Sequence, residues 1–237
     1  MILNVDDAIK QIGSELVQCR LGCAGIRNEP HNGIIPRCLI LEKRDGRKRS
    51  VVVGLNPGKS SGSRGRKERE YYKENGISYE SMRSYFEWTD NGKHKPIGEI
   101  PYFKRTRDFI TRHLGFDGDI LWTDLVKCEC KGRNGILPVQ TLRVCIDRFL
   151  KREIEAFGCS MIFALGNQVF NFCSLRFPNY LVVGIPHPSG SYGDFFKLER
   201  KMNDKIFYQV VKNAISCEKD ENGYYRAIKL TKKGIAT

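Results

Sequence analysis

Three β-branched residues in succession, Val51-Val52-Val53, run into Gly54-Leu55-Asn56-Pro57-Gly58-Lys59, and this stretch limits the fold more than any other. Such a run reads as a buried strand. Pro57 stiffens the loop that follows, and Gly54 and Gly58 make it close-fitting, so that Asn56 stands at a strand tip. In an α/β domain a strand tip is where ligands usually sit, because backbone donors there point outward into a crevice. The phosphate-cradling loop of nucleotide hydrolases needs four residues between its first Gly and its Gly-Lys pair. Here three intervene between Gly54 and Gly58-Lys59, and position 53 is Val, which disfavours a nucleotide hydrolase built on Gly58-Lys59-Ser60. On this loop alone a plain structural turn remains open.

The chain on either side alternates strands with helices. Val5, Ala8, Ile9, Ile12, Leu16 and Val17 recur at helical spacing over 5–18, with Asp6 or Asp7 placed to favour the helix start. Strands are predicted at 35–42, 51–54, 119–123, 160–165 and 180–185, with a short one at 224–230. Helices are predicted from 101 to about 114, after Pro138, after Gly166-Asn167 and over 199–216. This order implies an α/β fold, a three-layer α/β/α sandwich around a central, mostly parallel four-stranded sheet. One domain is expected over 1–237, with a basic and aromatic insertion at about 60–101 and a polar tail from about 217. In the insertion, basic residues interleave with Tyr71, Tyr72, Tyr79, Tyr85, Phe86 and Trp88. That pattern suits phosphate contact with base stacking, or equally the small core of a lobe.

The net charge of +13, from 40 basic against 27 acidic residues, exceeds what solubility requires. It points to a polyanion partner, nucleic acid before membrane surface, with plain solvation as the alternative. Contents of 41% hydrophobic and 11% aromatic residues are those of a folded globular protein. No stretch approaches the roughly twenty apolar residues needed to cross a bilayer. Acidic Asp6 and Asp7 stand where a signal peptide would be basic, so an intracellular protein is expected, and a monomer. Nine cysteines, an odd number, argue against a disulfide framework and leave buried thiols or metal ligands.

Three strand ends thus offer Asn56, Asp124 and His187 as site residues. Gly54-Leu55-Asn56-Pro57-Gly58 resembles the first motif of the uracil-DNA glycosylase superfamily, in the Asn-Pro-Gly form of its mismatch-specific and single-strand-selective branches. His187-Pro188-Ser189-Gly190 is similar to its second motif, and Thr123-Asp124-Leu125-Val126-Lys127-Cys128 to a stretch of its iron–sulfur branches. The resemblance continues through Ala164-Leu165-Gly166 and covers most of 15 to about 210.

It implies a DNA glycosylase that flips a damaged base out of the stack and hydrolyses its glycosidic bond. His187 would donate to base O2, and Asn56 would orient the attacking water. Phe103, with Tyr102 as the alternative, would stack on the base beside Gly54, Leu55 and Gly58, unless Phe103 is ordinary core. Lys59, Ser60, Ser189, Gly190 and Ser191 would contact DNA. The rival reading is a catalytically silent nucleic-acid binder of the same fold. Two departures stand out. Asp124 occupies the place of the Asn that reads uracil, and an ionised carboxylate only accepts hydrogen bonds. It would suit an amino-bearing base, or must be protonated, or serves only to cap the following turn. Gly58 stands where the most uracil-selective branch has a Tyr, which implies a roomier pocket.

The resemblance also implies a [4Fe–4S] cluster held by Cys19, Cys23, Cys128 and Cys145, with zinc on the same thiolates as the lesser alternative. Cys130 could replace one of these ligands. Cys38, Cys159 and Cys173 read as buried thiols.

Overall fold

The computed structural model describes residues 4–59, 62–87, 99–132, 137–189, 193–216 and 219–236. Its strands are β1 (Ile26–Arg27), β2 (Leu39–Glu42), β3 (Ser50–Gly54), β4 (Ile120–Asp124), β5 (Glu129–Cys130), β6 (Met161–Leu165), β7 (Leu181–Ile185), β8 (Ile228–Leu230) and β9 (Ile235–Ala236). Its helices are α1 (Val5–Val17), α2 (Ser63–Asn75), α3 (Tyr79–Glu87), α4 (Pro101–Arg112), α5 (Val139–Cys145), α6 (Lys151–Phe157), α7 (Asn167–Arg176), α8 (Asp194–Lys201) and α9 (Lys205–Ile215).

Among the described residues the main sheet has seven strands in the order β2-β4-β3-β6-β7-β8-β9, and its β3, β6, β7 and β8 pair in parallel. The mixed α/β class and the mostly parallel sheet are as expected, but the sheet is larger than four strands. The short strand expected at 224–230 forms as β8, Ile228–Leu230, and the further edge strand β9, of two residues, is too short for periodicity to reveal. Every residue of β3, β6 and β7 is buried, which is what apolar runs without alternation require in a sheet covered on both faces. Val53 lies opposite Ala164, and Ala164 opposite Gly184. The three strands therefore end together, at Gly54, Leu165 and Ile185, on one edge of the sheet.

The chain divides into two compact units. The first comprises 1–41, 56–97 and 122–158. Here α1 starts at Asn4, whose side chain accepts from the Asp7 N–H at 2.9 Å, and packs against α3 and α6. The insertion forms α2 and α3, and its aromatic residues resolve towards core. Tyr72, Tyr79 and Tyr85 are at most 5% exposed. Tyr71 and Tyr85 meet with ring centroids 5.4 Å apart. Trp88 lies outside the described residues. The expected helix after Pro138 is α5 and α6 joined through a single π-helical segment, Ile146–Leu150. The small antiparallel pair β1 and β5, two residues each, was not foreseen.

The second unit comprises 42–55, 98–121 and 159–237. Helix α7 packs on β6 and β7, and α9 on β8. Residues 199–216, expected as one helix, form the end of α8 and a separate α9. The break falls where Asp204 caps α9, accepting from the Phe207 N–H at 2.9 Å. An Asp at a helix start competes well for that position, and periodicity alone does not register it.

Candidate active site

The loop after β3 belongs to the first unit from Asn56 onward. Asn56 is half-buried, and its Nδ2 donates to the Pro57 carbonyl at 2.9 Å. That bond fixes the amide orientation, since the reverse would set two oxygens together. It leaves Oδ1 as an acceptor for a water proton. Arg37, 5% exposed, secures the same loop by donating from Nη2 to the Gly58 carbonyl at 2.6 Å. Its Nε pairs with Glu68 of α2 at 3.0 Å, and Tyr72 donates to the same carboxylate oxygen at 2.9 Å. Burial opposes the charge on Arg37, but Glu68 and Glu129 nearby hold its pKa above the ordinary value. The signal for Arg37 was present in the sequence: a lone charge in the otherwise apolar run Ile34 to Leu41, apart from Pro36 and Cys38. A Cβ at Gly58 would meet nothing within 4 Å, so this side of the loop is open, and Lys59 is exposed beside it.

Asp124 closes β4 and is 4% exposed. Burial pushes its pKa up to about 6, although a hydrogen bond from the Cys38 thiol and the charges of Lys127 and Arg37 favour the ionised form. Cys38 is therefore not simply a core thiol. It is the one non-glycine among the described residues with positive φ, 74°, a conformation that L-residues rarely hold without support from their surroundings. Burial, and then the Asp124 charge, raise the Cys38 pKa well above its usual value.

Below Asp124 lies a buried ionic group. Lys127 Nζ meets Glu153 Oε2 at 2.7 Å, and Thr123 Oγ1 donates to the same oxygen at 2.6 Å. Lys127 also contacts the Thr123 hydroxyl.

Cys19, Cys23, Cys128 and Cys145 line one small cavity with Ile26, Val126 and Phe149. All eight described cysteines are free, and Cys217 lies outside the described residues. Burial raises the pKa of Cys128, and its three companions raise it further. Burial likewise raises those of Cys23 and Cys145. Four thiolates in such a place would repel one another without a cation between them, which is the electrostatic condition a metal cluster relieves. Among the described residues, no three His, Cys, Asp or Glu side chains stand where they would hold a single metal ion. Cys130, buried in β5, does not line this cavity.

In the second unit, β7 ends at Ile185, and the Pro186-His187-Pro188-Ser189 loop leaves the sheet edge where β3 ends at Gly54. Gly54 is buried and Leu55 half-buried. The Ser189 N–H donates to His187 Nδ1 at 3.2 Å, and the Ser189 hydroxyl lies 2.8 Å from the same nitrogen. A nitrogen accepting from a backbone amide carries no proton, so the neutral ring holds its hydrogen on Nε2. Surrounding protein lowers the His187 pKa by desolvation, although the residue still presents surface to solvent, and this favours the neutral form.

Arg105 of α4 clamps the loop by donating to the Pro188 carbonyl at 3.1 Å. Tyr102 packs against the His187 ring, centroids 5.5 Å apart, and meets Phe103 edge-on at 5.0 Å. Phe103 itself is 7% exposed. Behind the loop, Gly166 has φ 90° and its N–H donates to the Ile185 carbonyl at 2.8 Å. The β6–α7 turn needs that left-handed conformation, which glycine alone adopts without strain. Ser60, Gly190 and Ser191 lie outside the described residues. Arg37, Arg105 and the Cys38 contact are the site features that motif reading missed.

No helix among the described residues is long and apolar enough to cross a membrane. No curated protein matches the chain. A family model of the uracil DNA glycosylase superfamily matches residues 44–210, a span that holds Asn56, Asp124 and His187 but not Cys19, Cys23 or β8 and β9. The chain belongs to the uracil DNA glycosylase superfamily.

Proposed function

We propose that the protein is a DNA glycosylase that hydrolyses the N-glycosidic bond of a flipped, damaged base. Membership of a DNA-acting superfamily supports this, and the His187 loop carries it. The leaving base departs as an anion, and its negative charge gathers on O2. A neutral imidazole with Nε2–H fixed by the Ser189 amide is a donor prepared in advance for that charge. Asn56 Oδ1 would hold the water that attacks the oxocarbenium-like sugar, orienting it without acting as a strong base. Tyr102 or Phe103 would stack on the base. Lys59, Ser60, Ser189, Gly190 and Ser191 would meet the DNA strand, and the +13 charge would supply salt-sensitive affinity. The test is incubation with single- and double-stranded oligonucleotides carrying uracil, hypoxanthine, xanthine or only normal bases. Alkali-labile abasic sites are the expected product. Tight DNA binding with no release from any of them would favour the silent binder, a reading that rests on the carboxylate at Asp124.

Asp124 makes base choice depend on pH. With its pKa near 6, the side chain is a carboxylate above that value and presents only acceptors. Protonated, it offers one donor and one acceptor, as an amide does. Excision of uracil, relative to a base that presents an amino group, is therefore expected to rise as pH falls through 6, and Asp124→Asn should abolish that dependence.

The same shift bears on stability. A carboxyl whose pKa is raised from 3.8 to about 6 on folding stabilises the protein below pH 4, and that contribution is lost as pH rises through 6. Asp124→Asn is thus expected to raise stability above pH 6 by on the order of 3 kcal/mol, with little gain at pH 4. Thermal melts at both pH values would measure it, and equal shifts at the two would refute the assignment.

We further propose that Cys19, Cys23, Cys128 and Cys145 hold a [4Fe–4S] cluster. Zinc needs all its sulfurs about 2.3 Å from one centre, whereas a cubane takes its thiolates at separate corners. The four thiols share one cavity, and the iron–sulfur branches that the chain resembles favour the second. When bound, the cluster would tie the segment after α1 to α5 and to the stretch after β4, a structural role. Iron and sulfide content and visible charge-transfer absorbance should be lost in Cys128→Ser. Zinc found in place of iron would overturn the cluster.

A further inference from the structure

The second unit contains a cavity of about 270 Å³ that the motifs leave unassigned. One wall is the start of α7 at Asn167, where no side chain among the described residues caps the helix, leaving its first N–H groups available to a ligand. The opposite wall comes from β8 and the turn after it, which bring Lys229, Thr231, Lys232 and Lys233 to the cavity. These residues lie beyond the span matched by the family. Pairing of Gly184 with Lys229 fixes their place, and Gly184 is itself constrained. A Cβ there would stand 2.6 Å from the Phe170 ring and 3.2 Å from Lys229 Cγ.

The turn is built to hold its shape. Thr231 Oγ1 accepts from the N–H groups of Lys233 and Gly234, both at 3.1 Å, and donates to the Gly234 carbonyl at 2.9 Å. Lys201 pins it from α8 by donating to the Lys233 carbonyl at 2.7 Å. Against three lysines in the lining stands one carboxylate, Asp194, paired with Lys232 at 2.8 Å. Both partners are about two-fifths exposed, so the pair is weak and exchangeable. Gly166 and Pro186, which flank the His187 loop, also line the cavity. A Cβ on Gly166 would lie 3.9 Å from His187 Cβ, so cavity and loop adjoin.

We infer that this cavity takes a backbone phosphate of the DNA strand whose base is presented to His187, with Lys229, Lys232 and Lys233 providing the positive wall. A phosphodiester would replace Asp194 as the partner of Lys232 and receive the free α7 N–H groups. The inference rests on the nucleic-acid reading above. It would make the β8–β9 hairpin a DNA-gripping addition beyond the span that the family model matches.

The experiment is binding of an undamaged oligonucleotide over a series of salt concentrations, so that base release plays no part in the readout. Lys232→Gln with Lys233→Gln should weaken binding about tenfold at low salt. It should also reduce the slope of log affinity against log salt by about 1 to 2, as expected for one or two lost phosphate contacts. Asp194→Asn should tighten binding several-fold by freeing Lys232. All three positions are on the surface, and unchanged melting temperatures would show that the fold is intact. An unaltered affinity and slope in the double variant would overturn the proposal, as would weaker binding by Asp194→Asn. Normal salt effects in a protein that releases no base would leave this site standing and remove the catalytic reading instead.

Discussion

His187→Ala is expected to slow base release by about 10²–10³-fold in single-turnover assays, with DNA affinity changed little. The magnitude is that of removing one preorganised donor from a developing oxyanion, roughly 3–4 kcal/mol. Preorganisation is visible in the loop. The Ser189 amide fixes the tautomer, Arg105 holds the Pro188 carbonyl, and Tyr102 packs on the ring. Little reorganisation is needed when charge appears on the base. A donor already aimed in this way contributes to the transition state more than to ground-state binding, so the loss should fall on the rate. Arg105→Ala, which keeps the imidazole but loosens its loop, should lower the rate by less. If His187→Ala releases base at the wild-type rate, the imidazole has no part in the chemistry.

Lys127→Met is expected to cost about 3–5 kcal/mol of stability, the largest effect of any single change considered. Lys127 and Glu153 are both fully buried, and Glu153 Oε1 already has no hydrogen-bond partner among the described residues. Removing the ammonium leaves a carboxylate in a dry interior with only the Thr123 hydroxyl to offset it. In a chain of 237 residues this corresponds to a fall in melting temperature of about 6–20 °C. The double variant Lys127→Met with Glu153→Leu should recover most of the loss, because the buried ion pair gains little over well-packed apolar side chains. A double variant no more stable than the single one would show that the pair does more than cancel its own burial.

The main architecture was legible because its strands are unbroken apolar runs. Val51-Val52-Val53 and the stretches at 161–165 and 181–185 announce burial on both faces, and each ends in a loop with turn residues. Asn56, Asp124 and His187 were legible for the same reason, since strand ends mark where side chains can meet a ligand. What stayed hidden depends on distant partners. Arg37 is a charge just before β2 whose meaning needs Glu68, Glu129 and the Gly58 carbonyl, each far along the chain. The Cys38 contact joins the residue before β2 to Asp124 at the end of β4, and no local pattern predicts it. The strand at 224–230 was legible in part as β8, but its partner β9 and their hairpin escaped, because Thr231 and Lys232 look like a solvated tail until β7 supplies the pairing edge.

The π-helical segment between α5 and α6 has a geometric effect on two chemically different side chains. On an unbroken α-helix, Cys145 and Glu153 would project about 80° apart around the axis. One extra residue absorbed in the wider turn winds everything downstream back by about 100°, which brings the two nearly into line. The thiol that lines the cysteine cavity and the carboxylate that receives Lys127 then face the same stretch, 127–128. The irregular turn acts as a vernier. It lets a single helix address two neighbouring residues of one loop at once, with the charge of one and the sulfur of the other.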